Sequence, residues 1–91
     1  MARIEVHGAD IGEEGITRLR VRMHNLPPRT ISRDQAVSWM RDGHSMVPIR
    51  KSNAGPALRL VEREGGFAVR EDGLTAPEDH LSGLPSVEDA L

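Results

Sequence analysis

The clearest strand pattern in the chain lies at residues 16–24, which read Ile-Thr-Arg-Leu-Arg-Val-Arg-Met-His. Successive side chains of a strand point to opposite faces of a sheet. Three apolar side chains therefore share one face: Leu19, Val21 and Met23. Four basic side chains share the other: Arg18, Arg20, Arg22 and His24. The pattern predicts a strand with one face in the core and one basic face outside it.

The flanking residues predict the neighbours of this strand. Residues 2–7 also alternate, with Ile4 and Val6 on one face, and predict a first strand. Residues 8–15 hold three glycines and three acids, which favour a loop. Pro27 and Pro28 should end the second strand, because proline cannot donate to a sheet ladder.

A helix is predicted to begin at Ser32. Ser32 and Gln35 are spaced as a capping box, and Asp34 lies in the first turn, where the helix dipole favours an anion. Gly43 suits the left-handed position after the last turn. One apolar arc should pack against the sheet: Ala36, Val37, Trp39 and Met40.

Three further strands are predicted at residues 46–50, 57–63 and 67–70, with a hairpin turn at residues 64–66. Consecutive strands joined by short loops favour antiparallel pairing. The expected fold is therefore α+β and two-layered, with a mainly antiparallel sheet of about five short strands and one helix packed on one face.

The chain has 91 residues, of which 37% are hydrophobic, so we expect one domain with a small core. All 12 basic residues lie at or before Arg70, whereas residues 71–91 carry six carboxylates and no lysine or arginine. We expect residues 1–72 to form a compact α+β domain. Residues 73–91 should be an acidic C-terminal extension, partly docked through Leu81 and Leu84, with Glu78 and Asp79 facing the arginine row.

The composition excludes several classes of protein. The chain has no cysteine, which excludes disulfides, thiolate metal sites and cysteine nucleophiles and fits a cytoplasmic protein. No apolar run reaches the ~20 residues that span a bilayer, and the N-terminus lacks the apolar core of a signal peptide. We therefore expect a cytoplasmic location and no membrane partner.

No motif in the sequence predicts catalysis, a metal site or a cofactor. The four histidines do not lie three or four residues apart, so no local pair of metal ligands exists. No serine lies in a Gly-x-Ser-x-Gly motif, and no glycine-rich loop has the spacing of a phosphate-binding loop. The sequence predicts a protein that is not an enzyme and that binds no cofactor and no metal.

The arginine row is the feature with functional content. Period-two spacing places the guanidiniums of Arg18, Arg20 and Arg22 about 6.5–7 Å apart on one face, and His24 continues the row. The pI is about 6.0, below that expected of nucleic-acid-binding domains. The first hypothesis is a non-catalytic binding or protein-interaction module. The alternative is an accessory domain that binds nucleic acid or another polyanion through the row, and a solvated face paired with glutamates stays open too.

Three stretches resemble a family of short bacterial proteins known only as a domain of unknown function. They are the glycine-containing loop before residues 16–21, the helix cap Ile31-Ser32-x-x-Gln35-Ala36, and the closing motif Asp79-His80-Leu81-x-x-Leu84-Pro85. His80 stands where the family has asparagine, and the strand before Arg70 lacks the family's aromatic-leucine pair. The resemblance implies no activity and no catalytic residues. It does imply that the closing motif belongs to the fold.

Overall fold

The computed structural model describes residues 2–90. Within that range the chain forms one helix and seven strands. Their bounds are β1 Arg3–Gly12, β2 Gly15–Met23, β3 Arg29–Ser32, α1 Arg33–Arg41, β4 Ser45–Arg50, β5 Asn53–Ala54, β6 Arg59–Arg63 and β7 Gly66–Arg70. No helix in these residues is long and apolar enough to cross a membrane.

The fold is α+β, but the predicted sheet is wrong in two respects. The main sheet has the order β3-β2-β1-β4-β5 and is mixed, because β1 and β4 pair in parallel. The other strands, β6 and β7, form a separate antiparallel sheet. The parallel pair arises because α1 returns the chain to the starting end of the sheet, and a parallel partner requires such a crossover.

The loop predicted at residues 8–15 is also wrong, because β1 continues to Gly12 and only residues 13 and 14 form the turn. The register of β1 against β2 shifts between Val6 and Gly8, and again between Asp10 and Ile11. Glycine within a strand often marks a close approach of another backbone. At Gly8 an added Cβ would lie 2.5 Å from the Cβ of Ala90.

The core lies between α1 and one face of the main sheet. Ile4, Val6, Leu19 and Val21 are each at most 1% exposed on this inner face. Ala36 is the buried residue of α1. The partly buried helix residues that pack against the same cluster are Val37, Trp39 and Met40. Three of the four residues of the predicted apolar arc therefore pack at the edge of the core and stay partly exposed.

The two aromatic rings lie at the margin of the molecule's interior, each under an arginine. Trp39 is half-buried and packs against the core, with the Arg29 guanidinium 5.5 Å from its ring centroid. Phe67 is also half-buried, and the Arg41 guanidinium lies 5.4 Å from its centroid. Such cation–π contacts let a ring remain partly exposed beside charge.

The predicted ends of the helix are confirmed. The Ser32 Oγ accepts a hydrogen bond from the Gln35 backbone N–H at 3.1 Å, while Ser32 keeps an extended backbone. Gly43 follows the C-cap Asp42 and has φ 97°, a left-handed conformation that glycine adopts without steric cost.

The C-terminal segment is held to the rest of the chain by Asp79. Its carboxylate accepts two hydrogen bonds from Arg33, at 2.9 and 2.8 Å, and one from each of two backbone N–H groups, those of Ile16 and Val69. Leu81 is 6% exposed and belongs to the core cluster, and Leu84 packs against that cluster. Asp79 thus joins β2, α1, β7 and the C-terminal segment, and it does not face the arginine row as expected.

Candidate functional site

The arginine row lies on the outer face of the main sheet, which is the face opposite the core. In the antiparallel pair, Arg18 lies across from Asp10, Arg20 from Gly8 and Arg22 from Glu5. Directly opposed residues of an antiparallel pair point to the same face. The row therefore faces a carboxylate at each end.

Arg18 is bound within the domain. Its Nε and Nη2 donate to the Asp10 Oδ2 at 3.0 and 2.5 Å. The other oxygen of Asp10 accepts the Val87 backbone N–H at 2.9 Å. The Val87 N–H and then the Arg18 guanidinium lower the pKa of Asp10, because both stabilise the ionised carboxylate. An external anion would have to compete with Asp10 for Arg18.

Arg20 is held toward β3. Its Nη1 donates to the Thr30 Oγ1 at 3.0 Å, and the residue is half-buried. Thr30 lies directly opposite Arg20 in the β2–β3 pair, so the contact is a cross-strand pair of the kind that stabilises sheets.

Arg22 differs from the other two arginines. No hydrogen bond or ion pair within residues 2–90 involves its guanidinium. The opposed carboxylate of Glu5 is bound instead by His7, at 3.0 Å, and by Arg3, at 3.2 Å. The His7 hydrogen bond, followed by the charges of His7 and Arg3, lowers the pKa of Glu5. Arg22 is therefore the exposed member of the row whose charge no described neighbour takes up.

Arg22 lines a groove at the corner of the sheet where β1 begins and β2 ends. The groove has a volume of about 760 Å³. We call it the corner groove, and its lining residues are Arg3, Glu5, Arg22, Met23, His24, Asn25 and Leu26. Asn25 has φ 61°, and the Leu26 N–H donates to the Met23 carbonyl at 3.1 Å. This tight turn leaves the Leu26 side chain 51% exposed.

The corner groove therefore combines cations with apolar surface. It holds two of the four predicted site residues, Arg22 and His24, whereas Arg18 and Arg20 lie outside it. Sequence reasoning missed Arg3 and Leu26. The sequence does contain a signal for Leu26, since this leucine directly precedes Pro27 and Pro28. The two prolines favour a turn, and a turn at this position exposes the apolar side chain.

A second groove, of about 860 Å³, lies between the β4–β5 turn and residues 85–90, and His7, Ile49 and Ala54 form part of its lining. Its arginine is Arg50, which donates to the Glu71 carboxylate at 2.6 and 2.5 Å and to the Ser82 carbonyl. The larger groove therefore offers no comparable free guanidinium. Within the described chain no cluster of three or more potential metal ligands exists.

No protein-family model matches the sequence, and comparison with curated proteins and with solved structures found no significant match. The resemblance to a bacterial domain of unknown function therefore stays a prediction. The case for a function rests on the geometry of the outer face.

Proposed function

We propose that this chain is a non-catalytic protein-interaction module that binds a partner segment in the corner groove. The observation that carries the proposal is the position of Arg22. Its guanidinium makes no hydrogen bond or ion pair within residues 2–90 and lines the same groove as Leu26, which is 51% exposed. Arginine and methionine are enriched in protein interfaces, and an arginine beside apolar surface suits a carboxylate flanked by an apolar side chain.

The composition of the groove supports a binding role over catalysis. Its lining includes His24 and Glu5 but no serine, threonine or cysteine. Nucleophilic catalysis by a side-chain hydroxyl or thiol needs such a group beside its base. The groove residues can bind and orient a partner, which is the role we assign to them.

Three features favour a protein partner over a polyanion. Asp10 neutralises Arg18, Glu5 lies opposite Arg22, and Arg20 is held by Thr30. A polyanion would meet two carboxylates along the same row, and like charges at an interface disfavour binding. A short segment with one carboxylate would meet only the corner groove, where the one carboxylate, Glu5, is already bound by Arg3 and His7.

The test uses peptides in which one glutamate or aspartate is followed by leucine at varied spacing, displayed as a library against the full chain. Selected peptides are then titrated against Arg22→Glu and against a matched control, Arg59→Glu. Arg59 is exposed on β6, and its side chain makes no hydrogen bond or ion pair within the described chain. The two variants change the net charge by the same amount. We expect Arg22→Glu to weaken binding by roughly tenfold or more and Arg59→Glu to leave it unchanged. Equal effects of the two variants would contradict the proposal.

A polyanion is the second candidate, because Arg20 and Arg22 are spaced by two residues on one face. Binding of heparin or of a single-stranded oligonucleotide would fall steeply with salt, with a slope that counts the contacted anionic groups. We expect a slope near that of a single ion pair for the selected peptides. Oligonucleotide binding that is tighter than peptide binding, with a slope of several charges and sensitive to both Arg20→Glu and Arg22→Glu, would replace our proposal with the second candidate.

A further inference from the structure

Residues 85–90 occupy the edge of β1 that β4 leaves open. The β1–β4 pair ends where Val6 meets Pro48. Beyond that point the Ala9 N–H donates to the Pro85 carbonyl at 2.9 Å. We call residues 85–90 the C-terminal strap. The strap lies directly on the backbone at Gly8, where an added Cβ would be 2.5 Å from the Cβ of Ala90.

The strap is held by two backbone groups and by the buried side chain of Val87. The Pro85 carbonyl accepts from Ala9, and the Val87 N–H donates to Asp10. Val87 is 7% exposed, yet it lies outside the continuous core cluster that contains Leu81. Its side chain therefore covers the sheet locally without adding to the main core.

The strap follows an anchored residue, Ser82, and a glycine, Gly83. Arg50 donates to the Ser82 carbonyl at 2.8 and 2.6 Å, which anchors the chain there. Gly83 follows with φ 77°, and Leu84 is only partly buried. Within the strap, residues 86–90 form a turn of their own, because the Ser86 carbonyl accepts hydrogen bonds from the backbone N–H groups of Asp89 and Ala90. A unit that is internally bonded and lightly attached can detach without disturbing the anchored residues.

We propose that the edge of β1 at residues 8–10 is a docking slot for a short segment of a partner protein, and that the C-terminal strap occupies this slot in cis. The slot offers one donor, the Ala9 N–H, and one acceptor, the Asp10 carboxylate, and Gly8 lets the incoming backbone approach closely. Backbone hydrogen bonds to an open sheet edge are a common means of binding a peptide segment. The site is distinct from the corner groove, which lies at the other end of β1.

The contacts of the strap define the partner segment. It supplies a backbone carbonyl to Ala9 and, two residues later, an N–H to Asp10. The residue that donates this N–H has a small β-branched apolar side chain, as Val87 does. Two exposed acidic residues, Glu88 and Asp89, follow it in the strap.

The first measurement is amide hydrogen exchange of the unmodified full chain. The Ala9 and Val87 amides report on the strap, whereas the Ile16 and Val69 amides report on the bonds to Asp79. We expect the strap amides to exchange through a local opening whose rate is independent of low denaturant concentrations. The Asp79-bonded amides should exchange only through global unfolding. If Ala9 exchanges as slowly as Ile16 and with the same denaturant dependence, the strap does not detach and the proposal is wrong.

The second measurement tests whether a separate peptide can bind in the slot. In the full-length variant Val87→Asp we expect the Ala9 amide to exchange roughly ten times faster or more, with Ile16 and Val69 unchanged. A synthetic peptide with the sequence of residues 82–90 should then restore protection of Ala9. The control is the same peptide with aspartate in place of valine, which should not. Failure of the first peptide to protect Ala9, or equal protection by both peptides, would overturn the proposal.

Discussion

Asp79 and Asp10 bind the C-terminal segment through the same chemistry in opposite surroundings. Each carboxylate accepts hydrogen bonds from an arginine and from at least one backbone N–H in a distant part of the chain. The Asp79 side chain is 2% exposed and its partner Arg33 is 19% exposed, whereas the values for Asp10 and Arg18 are 24% and 49%. Water can replace a lost partner of Asp10 but cannot reach Asp79.

The difference separates a structural anchor from an adjustable contact. A buried charge that loses its partners has no compensating solvation, so its loss is costly. An exposed pair of the Asp10 type is weak, because solvent screens it and the free groups are well hydrated. We therefore assign Asp79 to the stability of the fold and Asp10 to the position of the C-terminal strap.

The largest effect is expected from Asp79→Ala. It leaves Arg33 without its carboxylate and two backbone N–H groups without an acceptor. We expect a loss of about 3–5 kcal/mol in the free energy of unfolding. A domain of this size has only ~5–14 kcal/mol in total, so the variant should be close to unfolded at 37 °C. Urea denaturation measures the loss, and Asp89→Ala, in the exposed C-terminal turn, is the control. Similar midpoints for the two variants would contradict the role of Asp79.

The next effect concerns the leucine that follows the anchor. Leu81→Ala removes a side chain that is 6% exposed within the core cluster. It should cost about 2–5 kcal/mol, because it leaves a cavity among packed neighbours. Leu74→Ala is the matched control, since Leu74 is 62% exposed, and it should stay within about 0.5 kcal/mol of the parent. A small effect of Leu81→Ala would mean that the C-terminal segment adds little to the core.

Acid should destabilise the fold, because it protonates the carboxylates of Asp79 and Asp72. Burial alone would raise the pKa of Asp79, but the hydrogen bonds from Arg33, Val69 and Ile16 outweigh it and lower that pKa. The Arg70 guanidinium lowers the pKa of Asp72 to about 2. A lowered folded-state pKa adds stability that is present above about pH 4, the value in the unfolded chain, and is lost as pH falls through the folded-state pKa. Thermal unfolding at pH 7 and at steps below pH 4 should show this loss, and Asp79→Ala should flatten it. A stability that does not change between pH 4 and pH 2 would contradict these assignments.

The smallest effect is expected from Asp10→Asn. Its contacts with Arg18 and the Val87 N–H weaken, but the core is untouched. We expect a melting temperature near that of the parent, together with faster exchange of the Val87 amide. Thr17→Ala, which removes another outer contact of β1 at the Asp10 carbonyl, serves as a control that should leave the Val87 amide unchanged. A melting temperature that falls as far as in Asp79→Ala would remove the distinction between the two carboxylates.

Local patterns predicted part of the fold because their physics acts between near neighbours. The alternation at residues 16–24 predicted β2, with Leu19 and Val21 buried and Arg18 exposed. The Ser32 to Gln35 spacing predicted the start of α1. The pattern at residues 8–15 does not predict the extent of β1, because glycines are typical of loops, whereas Gly8 permits a backbone approach by residues almost eighty positions later.

The candidate site was predicted only in its residue types. Sequence spacing placed the arginines on one face, but it could not show which of them would find a partner. The separation in sequence is small for Arg18 and Asp10, yet Val87, which completes that contact, lies 77 residues away from Asp10. The exposed leucine beside Arg22 was missed for the same reason, since exposure depends on what the rest of the chain covers.

The sequence by itself determined the faces of β2, the ends of α1 and the basic row, because alternation and capping depend on residues within one or two turns of the chain. Only the tertiary structure decided the parallel pairing of β1 with β4, the burial of Asp79 and the freedom of Arg22. These depend on contacts between residues that are distant in sequence, such as the 63 positions that separate Ile16 from Asp79. Their energies arise from desolvation and mutual geometry, which exist only once the chain has folded.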